Sequence, residues 1–131
     1  MRKFPVALAF LAASLIGVGA LAASDKVVAN FVSQASSGVT GQVTLNALPS
    51  GGTMIHGKLS GLQANVEYAS QAFTETGCAT GTATIISHFT ANDKGMAVFN
   101  AKIDTNLPDI KSVSVQLGSD QSLKACAPVT Q

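Results

Sequence analysis

Residues 110–117 read IKSVSVQL, and they give the clearest strand pattern in the sequence. Val113, Val115 and Leu117 alternate with polar residues, and a period of two predicts a β-strand with one apolar face and one polar face. Sustained helical periodicity is not found after residue 22. The same alternation recurs, between turns rich in Gly, Pro, Asn and Asp, at 27–32, 42–47, 55–59, 66–73, 82–89, 97–103 and 123–129.

This pattern predicts an all-β domain of about seven or eight short strands. Regular turns with one apolar face per strand are typical of an antiparallel sandwich or barrel. In such a fold the apolar faces pack on each other and the polar faces stay in water. A chain of 131 residues is long enough for one domain of this kind.

The N-terminus predicts a secretory signal helix over residues 1–22. Arg2 and Lys3 supply the positive charge, an apolar stretch follows, and Ala20-Leu21-Ala22 has the small residues of a cleavage site. The alternative is a retained membrane anchor, but the apolar run is of marginal spanning length. We therefore expect a single mature domain, residues 23–131, that is secreted or periplasmic and has no membrane span after cleavage.

Charge is sparse and nearly balanced. The chain is 47% hydrophobic and 11% charged, with a formal net charge of +1. Removal of Arg2 and Lys3 with the signal leaves six of eight basic residues against seven acidic ones, a net of −1, and no arginine. This composition argues against disorder and nucleic-acid binding. The missing arginine also argues against a dedicated phosphate or polyanion site, although lysine can serve.

The mature chain has two cysteines, Cys78 and Cys126. In an oxidising compartment we expect them to form a disulfide. Closing the loop between them would stabilise the fold by about 4 kcal/mol in the chain-entropy model. The alternatives are two free thiols or half of a metal site.

Two histidines, His56 and His88, are the candidate metal ligands. A carboxylate such as Asp93 would complete one such set, and a cuprous site would instead add the thioether of Met54 or Met96. Met54 is two residues from His56 and therefore on the same strand face. Neither histidine has a second one at ligand spacing, so two separate surface imidazoles are the favoured interpretation, with no cofactor.

Other catalytic patterns are missing from the sequence. There is no Gly-x-Ser-x-Gly motif, no Gly-rich turn leads into a helix, and aromatic residues make up only 5% of the chain. Glycoside hydrolysis would need two acids to converge, and most of the candidates lie in or beside turns. These are Glu67, Glu75, Asp93, Asp104, Asp109 and Asp120.

The order of several features resembles a known class of exported proteins. The features are Gly61-Leu62, Tyr68, Thr76-Gly77-Cys78, the stretch 89–95, the strand 110–115 and Cys126. Over roughly residues 40–128 they resemble the copper/zinc superoxide dismutase-like and CHRD-like (chordin-domain) families. The resemblance implies a Greek-key, immunoglobulin-like sandwich with a cysteine pair.

The resemblance does not extend to the metal ligands. The positions at which the dismutase pattern places histidines fall on Ala72, Thr74 and Gln116, none of which binds copper as imidazole does. We therefore expect a metal-free relative, a non-enzymatic exported domain with a binding or structural role toward an unknown protein or surface component. The alternative is a copper-binding or superoxide dismutase-like metalloprotein. Self-association through Val113–Leu117 and Val27–Val32, if these were edge strands, is a further alternative.

Overall fold

The computed structural model describes residues 25–131, so the predicted signal peptide, residues 1–22, lies outside the described residues. Eight β-strands and one short 3₁₀ helix form in this part of the chain, which contains no α-helix. The strands are β1 Lys26–Ser33, β2 Thr40–Ala47, β3 Thr53–Ser60, β4 Glu67–Phe73, β5 Ala83–Thr90, β6 Ala97–Ile103, β7 Ser112–Leu117 and β8 Leu123–Pro128. The predicted all-β class and strand number are confirmed.

All eight strands belong to one antiparallel sheet. Their spatial order is β5-β4-β7-β8-β1-β2-β3-β6. The two end strands, β5 and β6, come within 8 Å of each other between Cα atoms, so the sheet is nearly closed. The prediction that Val113–Leu117 could be an edge is wrong, because β7 lies between β4 and β8. In β1 only Val32 and Ser33 pair with β8, so Val27–Phe31 have a ladder partner on the β2 side only.

The interior of the nearly closed sheet is the hydrophobic core. Its fully buried residues lie on the apolar side of their strands and include Val43, Leu45, Ile55, Val113 and Val115. Burial at about 25 cal/mol per Å² of apolar surface is the main force that holds the strands together. The apolar residues of the period-two pattern therefore lie on the inner side of the sheet.

An aromatic stack joins the two end strands, which have no backbone ladder between them. Phe89 of β5 lies parallel to Phe99 of β6 with 5.1 Å between ring centroids, and Tyr68 of β4 stacks on Phe89 at 6.2 Å. The Phe99 ring lies over Gly57, where an added Cβ would be 2.2 Å from ring carbons. Side-chain packing thus closes the sheet where hydrogen bonds do not.

The segment before β7 differs from the sequence prediction. Leu107–Asp109 form the 3₁₀ helix, and the N–H of Ile110 closes it by donating to the Leu107 carbonyl. Ile110 is buried but precedes the strand, which begins at Ser112. Pro108 explains the difference, because its fixed φ favours the first turn of a helix.

Candidate functional site

The outward side chains of β1, β2, β3 and β6 form one uncovered surface, which we call the open face. Strand β3 shows it most clearly, because exposed and buried residues alternate along its whole length. Strict alternation means that no other part of the described chain packs on the outer side. The outward residues are Lys26, Val28, Asn30, Val32, Thr40, Gln42, Thr44, Asn46, Met54, His56, Lys58, Ser60, Val98, Asn100 and Lys102.

The open face carries positive but no negative side chains. Lys26, Lys58 and Lys102 lie on it, whereas none of its outward residues is an Asp or a Glu. The seven acidic residues lie in loops or on other strands, namely Asp25, Glu67, Glu75, Asp93, Asp104, Asp109 and Asp120. The charged side chains within the strands of this face are therefore all positive, although the domain as a whole is nearly neutral.

One row of side chains crosses the centre of the open face. Val28, Thr44, His56 and Asn100 are direct partners on β1, β2, β3 and β6. The Nδ1 atom of His56 lies 2.7 Å from Oδ1 of Asn100. Because that oxygen accepts, the imidazole donates to it through Nδ1.

Further polar pairs order the side chains around this row. Nε2 of Gln42 donates to Oδ1 of Asn30 at 3.1 Å, and the hydroxyls of Thr40 and Ser60 are 3.3 Å apart. Cross-strand pairs of this kind stabilise a sheet by a few tenths of a kcal/mol to about 1 kcal/mol each. The face therefore presents pre-arranged amide and hydroxyl groups.

An open groove crosses β2, β3 and β6 at one end of the open face. Its volume is about 340 Å³ and its surface is mainly apolar. Lys58 and Val98 lie on one side of it and Ser60 and Met96 on the other. Both apolar side chains are exposed, Met96 at 43% and Val98 at 56%. This is an apolar depression with an ammonium group at its rim.

The outer side of β7 is buried, in contrast to the open face. Ser112 and Ser114 are fully buried and Gln116 is 7% exposed, although they alternate with the core valines Val113 and Val115. The prediction that this polar face stays in water is wrong. Residues 74–82, which connect β4 to β5, fold over the Ser112 end of it, where Glu75 and Cys78 contact Ser112. We call this side the covered face.

The disulfide fixes that cover in place. Cys78 and Cys126 are bonded, with Cα atoms 5.8 Å apart, and both are buried with Phe73 in a second, smaller cluster. The predicted pairing is thus confirmed. No free cysteine is present among the described residues, 25–131.

The buried hydroxyls of the covered face are satisfied by backbone groups. Ser112 Oγ donates to the Glu75 carbonyl at 2.6 Å and accepts from the Cys78 N–H at 3.1 Å. Ser114 Oγ accepts from the Gln71 N–H and donates to Gln116 Oε1. Buried polar groups with partners are tolerated, whereas unpaired ones are costly. Sequence reasoning missed these residues, and the only available signal was the Ser-x-Ser-x-Gln alternation.

The candidate metal ligands do not form one cluster. Within residues 25–131, no group of three or more His, Cys, Asp and Glu could hold a metal ion. His56 is on β3, His88 is on β5 with β6 between them, and Asp93 is in the loop before β6. Met54 shares the outer side of β3 with His56. Met96 immediately precedes β6, whereas Met54 pairs with Lys102 near the end of that strand, so the two methionines are about 20 Å apart.

The positions that correspond to dismutase histidines also separate. Ala72 belongs to the inner core and pairs with Val113, whereas Gln116 points to the covered face and pairs with Ala69. Thr74 lies beyond the end of β4. Because successive strand residues face opposite sides, Ala72 and Gln116 could not bind one ion whatever their side chains.

The six acids considered for glycoside hydrolysis are all exposed. Glu67 is on β4 and the other five are in four connections, because Asp104 and Asp109 share the one between β6 and β7. The clearest electrostatic effect is at Asp120, where the Ser122 N–H donates to Oδ1 at 2.9 Å and so holds the pKa of this carboxyl below its ordinary value. That bond belongs to the turn between β7 and β8.

Comparison with protein-family models and with curated proteins found no match to this chain. In residues 25–131 no helix has the length and apolarity needed to cross a membrane.

Proposed function

We propose that this chain is an exported, non-enzymatic binding domain that engages its partner through the open face. The observation that carries the proposal is the charge distribution, with lysines and no carboxylates among the outward residues of β1, β2, β3 and β6. A face used only for solubility would mix both signs of charge. One sign together with exposed apolar groups is typical of a recognition surface.

We further propose a Greek-key, immunoglobulin-like sandwich related to the superoxide dismutase-like and CHRD-like families. Strand order supports it, because β7 returns to pair with β4, and β5 and β6 contact each other without a backbone ladder. A fourth strand that returns to lie beside the first is a feature of Greek keys. The disulfide between Cys78 and Cys126 supports a periplasmic or secreted location, since such bonds persist in oxidising compartments.

Site-specific photo-crosslinking in exporting cells tests the binding face. Val28 and Ile85 are a matched pair of exposed, β-branched residues, at 51% and 56% exposure, on the open face and on β5 respectively. With a photoreactive phenylalanine analogue at each position, we expect a discrete crosslinked product from position 28 only. Equal products from both positions, or none from position 28, would contradict the proposal.

The export component has its own test. Mass spectrometry of the chain recovered from the cell envelope or medium should give a species that begins at Ala23. A recovered chain that keeps residues 1–22 would contradict cleavage and favour the retained anchor.

A copper-binding role is the second candidate, and one observation favours it. Met54 and His56 are neighbouring outward residues of β3, and both are exposed. Thioether and imidazole are ligands that suit cuprous ion. A cuprous titration followed by NMR should shift Met54 and His56 together if this role is real. Unchanged signals at saturating metal would eliminate it, while His88 and Met96 serve as internal controls.

A further inference from the structure

The groove on the open face and the ammonium group beside it point to one class of ligand. We infer that the groove binds an acidic protein segment in which an apolar side chain lies next to one or more carboxylates. The apolar side chain would enter between Val98 and Met96, and a carboxylate would pair with Lys58. This inference rests on the proposed function, because it names the partner of the same face.

The dimensions of the groove favour a single side chain. It lies between two outward rows of residues, one containing Lys58 and Val98 and the next containing Ser60 and Met96. Neighbouring outward rows are about 7 Å apart along a strand. That spacing admits one side chain between the rows, and a volume of about 340 Å³ is ample for a large aliphatic or aromatic one. An apolar anchor in a pocket, with a charge pair at its rim, is the usual form of an interface hot spot.

The same dimensions disfavour a lipid chain. An acyl chain gains its binding energy by leaving water along its whole length. The groove is open to solvent and crosses only β2, β3 and β6, so much of such a chain would remain wet. A partner protein, in contrast, covers the groove with its own surface.

The charge and composition of the open face further restrict the class of partner. Lys58 and Lys102 attract carboxylates, and the open face has no carboxylate to oppose them. A second copy of this face would bring like charges together, which opposes self-association here. Its outward residues include no aromatic side chain on which a sugar ring could stack.

The test uses isotope-labelled protein and defined peptides. The probe is an octapeptide with one central leucine flanked by aspartates. We expect amide shifts at Lys58, Met96 and Val98. Replacing the leucine by alanine should weaken binding about fivefold, since one apolar anchor is lost. Replacing the aspartates by lysines should abolish binding.

Two matched variants separate the groove from general electrostatics. Lys58→Glu should weaken binding of the acidic peptide about tenfold or more, whereas Lys111→Glu, which changes an exposed lysine outside the open face, should alter it less than about twofold. Equal losses in both variants would overturn the inference. Amide spectra of both variants establish that they remain folded.

Other outcomes distinguish failure of this inference from failure of the proposed function. If no peptide shifts the groove residues, or if anionic phospholipid vesicles bind in a Lys58-dependent way and the peptide does not, the acidic segment is the wrong partner. The proposed function survives that result as long as position 28 still crosslinks. If position 28 also fails to crosslink, both proposals fall.

Discussion

Strands β3 and β7 carry the same two-residue alternation, yet their polar sides end in opposite environments. On β3 every second residue is exposed, so Met54, His56 and Lys58 face water. On β7 both sides are buried, because the segment tied down by Cys78 covers Ser112 and its neighbours. Alternation therefore identifies which side is polar, but a distant covalent bond determines whether that side is available for binding.

Polar residues also have different roles on the covered face and on the open face. On the covered face, hydroxyls satisfy buried backbone groups of residues 74–82 and contribute to stability. On the open face, amides and hydroxyls pair with each other, and the charged residues beside them are lysines. Substitutions on the two faces should therefore act on different properties.

The largest effect is expected from removing the disulfide. The double variant Cys78→Ser with Cys126→Ser should lower the free energy of unfolding by about 4 kcal/mol, because the unfolded chain regains the freedom of a 48-residue loop. Urea unfolding measures it. Hydrogen exchange should show an additional local loss of protection at Ser112 and in residues 74–82. Equal changes at the amides of β3 would contradict the assignment of the disulfide to the cover.

A smaller loss is expected from one hydroxyl of the covered face. Ser112→Ala removes the group that bonds both the Cys78 N–H and the Glu75 carbonyl, so we expect a loss of about 1–3 kcal/mol. Ser60→Ala on the open face is the matched control and should change stability by no more than about 0.5 kcal/mol. Equal losses for the two variants in denaturant titrations would show that the faces do not differ.

Charge reversal on the open face should affect binding and leave stability nearly unchanged. Lys58→Glu combined with Lys102→Glu should shift the free energy of unfolding by about 0.5 kcal/mol or less, because both side chains are exposed. The same variant should lose the crosslinked product from position 28. A fully retained crosslink would mean that charge does not select the partner.

The smallest effect belongs to the turn between β7 and β8. The pKa of Asp120 is lowered in the folded state by the bond from the Ser122 N–H, so its ionised form stabilises the fold above the ordinary aspartate pKa. This contribution should disappear as the pH falls through that range, below about pH 4. The stability difference between the native chain and Asp120→Asn should therefore shrink on acidification. A constant difference across acid titration would refute it.

Several features of the fold were predictable because they depend on short stretches of sequence. Alternation at Val113 and Val115 marks a core strand wherever that strand lies in the sheet. The pairing of Cys78 with Cys126 followed from their number and the predicted export. The outward position of His56 followed from the buried Ile55 and Leu59 beside it.

Other predictions failed because they depended on which strands become neighbours. Residues 113–117 have the composition of an edge strand but lie between β4 and β8. Ala72 and Gln116 face opposite sides of the sheet. Which residues of β4 and β7 share a side is set by the pairing register of the two strands. The groove joins residues of β2, β3 and β6 that no local pattern connects.

Taken alone, the amino-acid sequence determined the strand periodicity, the turns and the pair of cysteines, because each is a property of neighbouring residues or of residue counts. Three other features depend on how the chain folds in space. They are the contact of β5 with β6 through Phe89 and Phe99, the cover over one polar face, and the exposure of the other with its lysines and no acids. They depend on folding because burial is set by what packs against a face, and those partners come from distant parts of the chain.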